Sequence, residues 1–525
     1  MKKTRMLWTT MLLLILALTV FGGAVAGART VLKLAVSNFA WRMDPAVKWS
    51  NNTAQMHINM HDGLVRLTPY EVPYRVEPSV AESWKEISPT VTEFQIRKGV
   101  KFWDGTPVTS EDVAWSINRS LRGDNPRYKS YAGRWAYNFE KVEVMDPLTV
   151  RVHTKRPDPL TLVMLAQTPA SILSKKAYEV AKNPDQFFEH PLGCGPYRIA
   201  GYKKDQSLEL ERWDGYWGEK PPLEKLIYYN VPEISSRITA LLNGEVDFTV
   251  SIPPDQVVAL EGRKGIKTLG ITWDMFHVFA LNATREPLTD PRIRRAMNLS
   301  IDREMLNKAF WGGKGVIPTA HQYQGRSGYD PNWKIFEYNP EKAKQLVKEA
   351  GYDGTPIELN FGASYYLYID QASQAIAKMW EKVGLNIKLQ YVESWGKRKI
   401  PEKYVMTRSW SNPMYFPDML GGFDPHWSPT GWPIKDGLNP QLAPGGELRD
   451  RYTKLYERAR YGVDGKERLK AYHELVEMLE YEATPWVIIY QPREYFGMAE
   501  DIEWKAPSNY RPFTLPFRAG DIRFR

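Results

Sequence analysis

The chain has 525 residues, 43% of them apolar and 25% charged, with a formal charge of +9 and one cysteine, Cys194. That length exceeds one ordinary domain and can bury two substantial cores. A single thiol excludes an intrachain disulfide, and a diffuse basic excess interleaved with acids argues against nucleic acid as a partner.

Lys2, Lys3 and Arg5 precede an apolar run from Met11 to Phe21 and the small residues Ala24, Ala26 and Ala28. This pattern predicts a secretory signal peptide over 1–28, too short to span a bilayer. No cysteine stands at the cleavage point, which excludes lipid anchoring by that route. Leu32, Leu34 and Val36 then alternate as a strand, running into a loop with Phe39 and Trp41. Ligands of open α/β sheets sit outside the carboxyl ends of strands, so these two rings are candidate cleft walls, and equally candidate packing residues. His57 and His61 have the four-residue spacing of a helical metal pair. Ile58 stands where the catalytic zinc pattern needs glutamate and no third ligand is near, so ordinary polar helix positions are expected.

In residues 91–121, Phe94 and Ile96 alternate as a half-buried strand. Asp104-Gly105 forms a turn, and Thr109 or Ser110 caps a helix carrying Val113, Ile117 and Leu121 on one face. Residues 192–217 read as a β-hairpin, and 232–248 as a helix ended by Gly244. An apolar strand after Trp273 leads to Asp290-Pro291 at the start of another helix. Asn339-Pro340 opens an amphipathic helix stopped by Gly351. Ile357, Leu359 and Phe361, the stripe Ala372, Ile376 and Met379, and then Leu385, Ile387 and Leu389 predict a βαβ unit. Tyr365, Tyr366 and Tyr368 fall at the carboxyl end of its first strand. Residues 405–434 break all periodicity and concentrate Trp410, Asn412, Tyr415, Phe416, Asp418, Asp424 and Trp427 in a long loop of the kind that carries function. Leu455 to Leu479 reads as helix and 483–496 as a returning apolar strand.

The run RKGVKFWDGTPVTSEDV at 97–113 resembles the signature segment of the peptide/nickel-type solute-binding proteins of ABC importers. GCGPY at 193–197, RWDGYW at 212–217 and the helix before Gly244 are similar to further segments of that family, in its order. The resemblance implies an α/β, two-lobed, Venus-flytrap fold with mixed sheets. Lobe I would comprise 29–275, including the family's extra subdomain, and 491–525; lobe II would comprise 276–490. It further implies a monomeric periplasmic or extracellular receptor without catalysis, cofactor or metal. Such a receptor delivers a small-molecule or oligomeric solute to a permease by lobe closure. Expected ligand-binding residues are Phe39, Trp41, Trp273, Tyr365, Tyr366, Tyr368, Trp410, Asn412, Tyr415, Phe416, Asp418 and Trp427.

One departure bears on the ligand. Peptide-binding members carry an aspartate shortly after the pocket tryptophan, paired with the peptide ammonium, whereas Asn412 stands near that place here. Loss of that carboxylate forfeits a charge-assisted bond. An oligosaccharide or other neutral solute is therefore expected ahead of an oligopeptide, with Asp418 as the alternative counter-charge. The rival classes are a secreted carbohydrate-active hydrolase using Asp418 and Asp424 as a dyad, and a chemoreceptor-coupled binding protein. No G-x-S-x-G or H-E-x-x-H motif supports a hydrolase.

Overall fold

The computed structural model describes residues 29–37, 43–46, 51–68, 70–71, 74–121, 138–362, 367–393, 406–507, 517–518 and 521–525. The signal segment, Phe39, Trp41, Tyr365 and Tyr366 lie outside them. Among the described residues no helix is long and apolar enough to cross a membrane.

Two mixed sheets organise the chain. The first has seven strands in the order β12-β18-β11-β1-β10-β9-β8. These are β1 (Val31–Val36), β8 (Tyr197–Lys203), β9 (Ser207–Arg212), β10 (Lys225–Asn230), β11 (Phe248–Thr249), β12 (Ile266–Thr272) and β18 (Arg493–Ala499). The second has five, β15-β14-β16-β13-β17, from β13 (Met275–Leu281), β14 (Ile357–Phe361), β15 (Ile387–Tyr391), β16 (Thr407–Pro413) and β17 (Trp486–Tyr490). A third, antiparallel sheet, β4-β5-β7-β6, is built from β4 (Ala81–Ser88), β5 (Val91–Ile96), β6 (Phe139–Asp146) and β7 (Thr149–Thr154). The ribbons β2 (Val65–Leu67) with β3 (Val76–Pro78), and β19 (Ile502–Trp504) with β20 (Ile522–Phe524), complete the strands.

Local sequence explains much of this. Leu32, Leu34 and Val36 are buried, and so is Ala35, because β1 lies parallel between β10 and β11 with both faces covered. Central β13, antiparallel between β16 and β17, is buried at all seven positions. In the helix Ser110–Leu121, the Thr109 N–H and hydroxyl both donate to Asp112 Oδ2, at 3.0 and 2.6 Å, a capping box that fixes the helix start. Gly105 takes φ 87°, as its turn requires. The predicted hairpin is β8–β9, and the βαβ unit is β14, the helix Ile369–Lys382 and β15, its strands parallel. Cys194 is buried, its thiol 3.9 Å from the carbonyl of Ile172.

Two expectations are corrected. Residues 407–413 are a strand rather than loop: polar β16 is held by backbone pairing with β13 on one side and β14 on the other, so context overrides its composition. The stretch 455–479 belongs to two helices, Arg449–Tyr461 and Gly465–Met478, because Gly462 breaks the first and the Asp464 carboxylate caps the second from Lys466 and Glu467 N–H.

Of three main apolar clusters, one stays with the first sheet and two join regions, the second including Ile252, Val257 and Tyr495 from beside the first sheet. One joins Leu32, Leu34, Tyr197 and Phe248; another joins Phe279, Met297, Ile357 and Trp380. The largest runs from Phe94, Val150 and Met164 of the antiparallel subdomain into Phe276, Tyr323 and Trp427 around the second sheet.

Candidate functional site

The strand registers fix where the two sheets meet. β1, β10 and β11 run parallel, so Val36, Asn230 and Thr249 end on one edge of the first sheet. Antiparallel β18 begins on that edge, with Arg493 opposite Thr272 at the carboxyl end of β12. In the second sheet, Pro413 at the end of β16 pairs with Met275 at the start of β13, and Tyr490 at the end of β17 pairs with His277. β14 and β15 run parallel to β16 and end on the same side. The two connections, Trp273-Asp274 and Gln491-Pro492, leave these same edges. The carboxyl ends of β1, β10, β11, β14, β15 and β16 therefore converge on one cleft between the sheets, the position at which open α/β sheets bind ligands.

The connections form a clamp. Asp274 is fully buried, and Arg326 donates from Nε and Nη2 to its Oδ2, both at 2.6 Å. Gln491 Nε2 donates to the other carboxylate oxygen at 3.4 Å, and Trp273 N–H donates to the Pro492 carbonyl at 2.9 Å, so the two crossings are bonded to each other. The Arg326 guanidinium also lies over the ring of Tyr74, 4.6 Å from its centroid. On the first-sheet side, buried Glu494 accepts from the N–H and hydroxyl of Ser251, both at 2.7 Å. Burial outweighs those bonds and pushes its carboxyl up to about 7. Ser251 takes φ 56°, a left-handed conformation held by this bonding.

Of the predicted site residues, Tyr368 joins the helix after β14 to the helix Pro254–Leu260. It stands at φ 60° before the helix Ile369–Lys382 and donates to Asp255 Oδ1 at 2.6 Å, while its ring stacks on Phe310. Trp273 is nearly buried at the crossing. Trp410 and Asn412 occupy β16 opposite Val278 and Phe276; only their backbone positions are described. Tyr415 is half-buried against His426. The structure places Phe416 and Trp427 in the core, Trp427 edge-on to Trp486 at 4.9 Å. The chain turns inward here because Gly421 lets its backbone approach the Phe416 carbonyl too closely for any Cβ. Asp418 is buried and accepts twice from Arg468, at 3.1 and 3.2 Å. Asp424 accepts from the Tyr456 hydroxyl and faces Arg460, and burial pushes it up to about 6. Both carboxylates are thus occupied by neighbouring side chains.

His57 and His61 are buried rather than solvated polar positions. Their rings stack at 5.5 Å, Trp103 continues the stack at 5.7 Å, and their nitrogens have no hydrogen bond among the described residues. Burial lowers His57 to about 4 and His61 well below the usual range. They border a cavity of about 440 Å³ with Tyr216 and Arg518, and no metal-holding group of three is found among the described residues.

Sequence reasoning missed Asp255, Asp274, Arg326, Gln491 and Glu494. Asp274, Gln491 and Glu494 had one signal, their place at or near a predicted crossing; Asp255 and Arg326 had none.

Two mixed sheets that face each other across a cleft, joined by two bonded crossings, define a two-lobed binding protein of the periplasmic type. The periplasmic binding protein DppA from Helicobacter pylori, solved with the peptide STSA, matches with a TM-score of 0.80 at 23% identity, over 95% of this chain and 98% of its own. NikZ from Campylobacter jejuni, solved with Ni(L-His), matches with 0.77 at 19% identity over 94% and 99%; at such identities the likeness is one of fold. The chain belongs to the bacterial extracellular solute-binding proteins, family 5, whose middle-region model matches residues 75–433. It is 30% identical over 346 residues to the dipeptide-binding protein of Escherichia coli K12, covering 61% of this chain and 64% of that protein. To the glutathione-binding protein GsiB of Salmonella paratyphi A it is 31% identical over 265 residues, 49% of each. The chain thus aligns with about half to two thirds of these relatives' length.

Proposed function

We propose that the protein captures a small peptide or peptide-like solute between its lobes outside the cytoplasm and delivers it to an ABC importer, without chemical turnover. The observation that carries this reading is the convergence of strand carboxyl ends from both sheets on one cleft, within a family of extracellular solute-binding proteins. The named relatives bind a dipeptide and glutathione. They favour a peptide over the oligosaccharide expected from Asn412 alone, which gains no support from them. Asp418 and Asp424 are buried and engaged by Arg468, Tyr456 and Arg460, an arrangement that does not favour a hydrolytic dyad. In this reading lobe I is 29–275 with 491–525 and lobe II is 276–490. Tyr368 and Tyr415 line the cleft, beside the β16 strand that carries Trp410. With Asn412 near the family's aspartate position, a ligand whose amine is masked or held by backbone carbonyls fits better than a free α-ammonium.

A thermal-shift screen of di- and tripeptides, glutathione and oligosaccharides tests the reading. Stabilisation by members of the peptide set, lost in Trp410→Ala, is expected; stabilisation by oligosaccharides alone overturns it. A micromolar ligand corresponds to about −8 kcal/mol, within reach of a few stacked rings and hydrogen bonds in a closed cleft.

A further inference from the structure

Residues 155–160, the segment after β7, belong to the antiparallel subdomain. That subdomain is fastened to the first lobe: Ile172 N–H donates to the Asp62 carbonyl, Trp103 N–H to Gly193, and Trp103 Nε1 to Gly195. Yet the same segment grips the helix Arg449–Tyr461 of the second lobe. The Arg460 guanidinium donates from both terminal nitrogens to the Asp158 carboxylate, Nη2 to Oδ2 at 3.0 Å, with both side chains essentially without solvent exposure. Beside it, Arg156 pairs with Glu457 at 3.0 Å and lies over the Tyr461 ring, 3.8 Å from its centroid.

We propose that this contact is a latch that holds the lobes shut from outside the ligand cleft; the inference rests on the lobe-closure reading above. Both halves keep partners when apart. Asp158 is held by its own segment, accepting from Leu160 N–H at 2.9 Å and Asn138 Nδ2 at 3.3 Å. Arg460 retains Asp424, whose Oδ2 is 3.6 Å from its Nε and which Tyr456 also holds. Parting therefore leaves both charged groups with partners, while the apolar cluster that runs from this subdomain to the helix Arg449–Tyr461 must separate with them. The pair's mutual attraction is largely offset by the cost of stripping water from two charges, and opening returns that hydration. Such a contact adds direction and register to closure while remaining reversible. A purely apolar seam of the same area would regain no comparable hydration on opening.

Small-angle scattering and deuterium exchange on the ligand-free mature protein test the latch and need no ligand. Asp158→Arg sets two arginines against each other, and the exposed Arg156→Glu sets two acids against each other without touching the core. Arg156→Glu/Glu457→Arg restores the outer pair in reverse. Expected are a larger radius of gyration and faster exchange at 155–161 and 449–461 in both single variants. The closed population should fall about two- to fivefold in Arg156→Glu and more than about tenfold in Asp158→Arg. The reversed double variant should return to wild type, and Arg156→Glu should melt as wild type does. An unchanged radius in all variants overturns the latch. So does a lowered melting point without a change in radius, which marks a permanent core contact. So does a wild-type protein whose 155–161 amides are already unprotected. A ligand screen that finds nothing sinks the transport reading and leaves these comparisons intact; peptide binding with an unmoved radius sinks the latch alone.

Discussion

Two buried arginine–aspartate pairs, Arg326–Asp274 and Arg460–Asp158, differ in what surrounds them. Arg326 and Asp274 are tied into the crossing itself, where Gln491 joins the second connection to the same carboxylate. Asp158 and Arg460 come from segments 302 residues apart that no connection joins directly, and each has a second partner on its own side. The first pair is bound into the crossing on both carboxylate oxygens; each member of the second also holds a partner on its own side. Buried ion pairs contribute little net stability as a class, so what distinguishes these two is the state each leaves behind when broken.

The sharpest way to break the comparison is Arg326→Ala, which removes the guanidinium from a fully buried carboxylate. A loss of about 3–5 kcal/mol in denaturant unfolding is expected; a loss below about 1 kcal/mol would put the hinge pair in the same class as the latch. A second test uses pH. The Asp424 carboxyl beside Arg460 is raised by burial from 3.8 to about 6. The folded protein therefore holds that proton more tightly than the unfolded chain. Its contribution is full below about pH 4 and declines as pH rises to about 6, by a total of about 3 kcal/mol. Asp424→Asn should gain on wild type across that window and converge with it below, as read from unfolding free energies at each pH; parallel curves would mean the latch side does not titrate. The smallest effect is expected at Tyr368→Phe, which removes the cross-lobe bond to Asp255. About 1 kcal/mol of closed-state stability should be lost, seen as roughly fivefold weaker peptide binding with an unchanged melting point of the free protein. A lowered melting point would make Tyr368 a folding residue rather than a closure one.

What could be read from the chain alone follows the same divide between local and distant. The segment 91–121 was legible apart from the choice of Thr109 or Ser110 as cap: alternation, turn glycine and capping box are each decided within about four positions. So were β1, the hairpin β8–β9 and the unit β14–helix–β15. β16 was not, because TRSWSNP carries no strand pattern and is extended only through its neighbours. The core placement of Phe416 and Trp427 depends on a backbone crossing at Gly421 that no periodicity announces. The clamp was invisible for a simpler reason. Asp274, Arg326 and Gln491 lie 52 and 217 positions apart, and nothing in a single chain says that they meet.

Cys194 gives the wild-type chain a practical property. Its thiol is buried, and burial raises its proton affinity, so almost no nucleophilic thiolate is presented to a reagent. Slow reaction with maleimide dyes is expected of it. One cysteine introduced on each lobe gives a donor–acceptor pair for single-molecule energy transfer without replacing any native residue, and opening and closing become directly countable events.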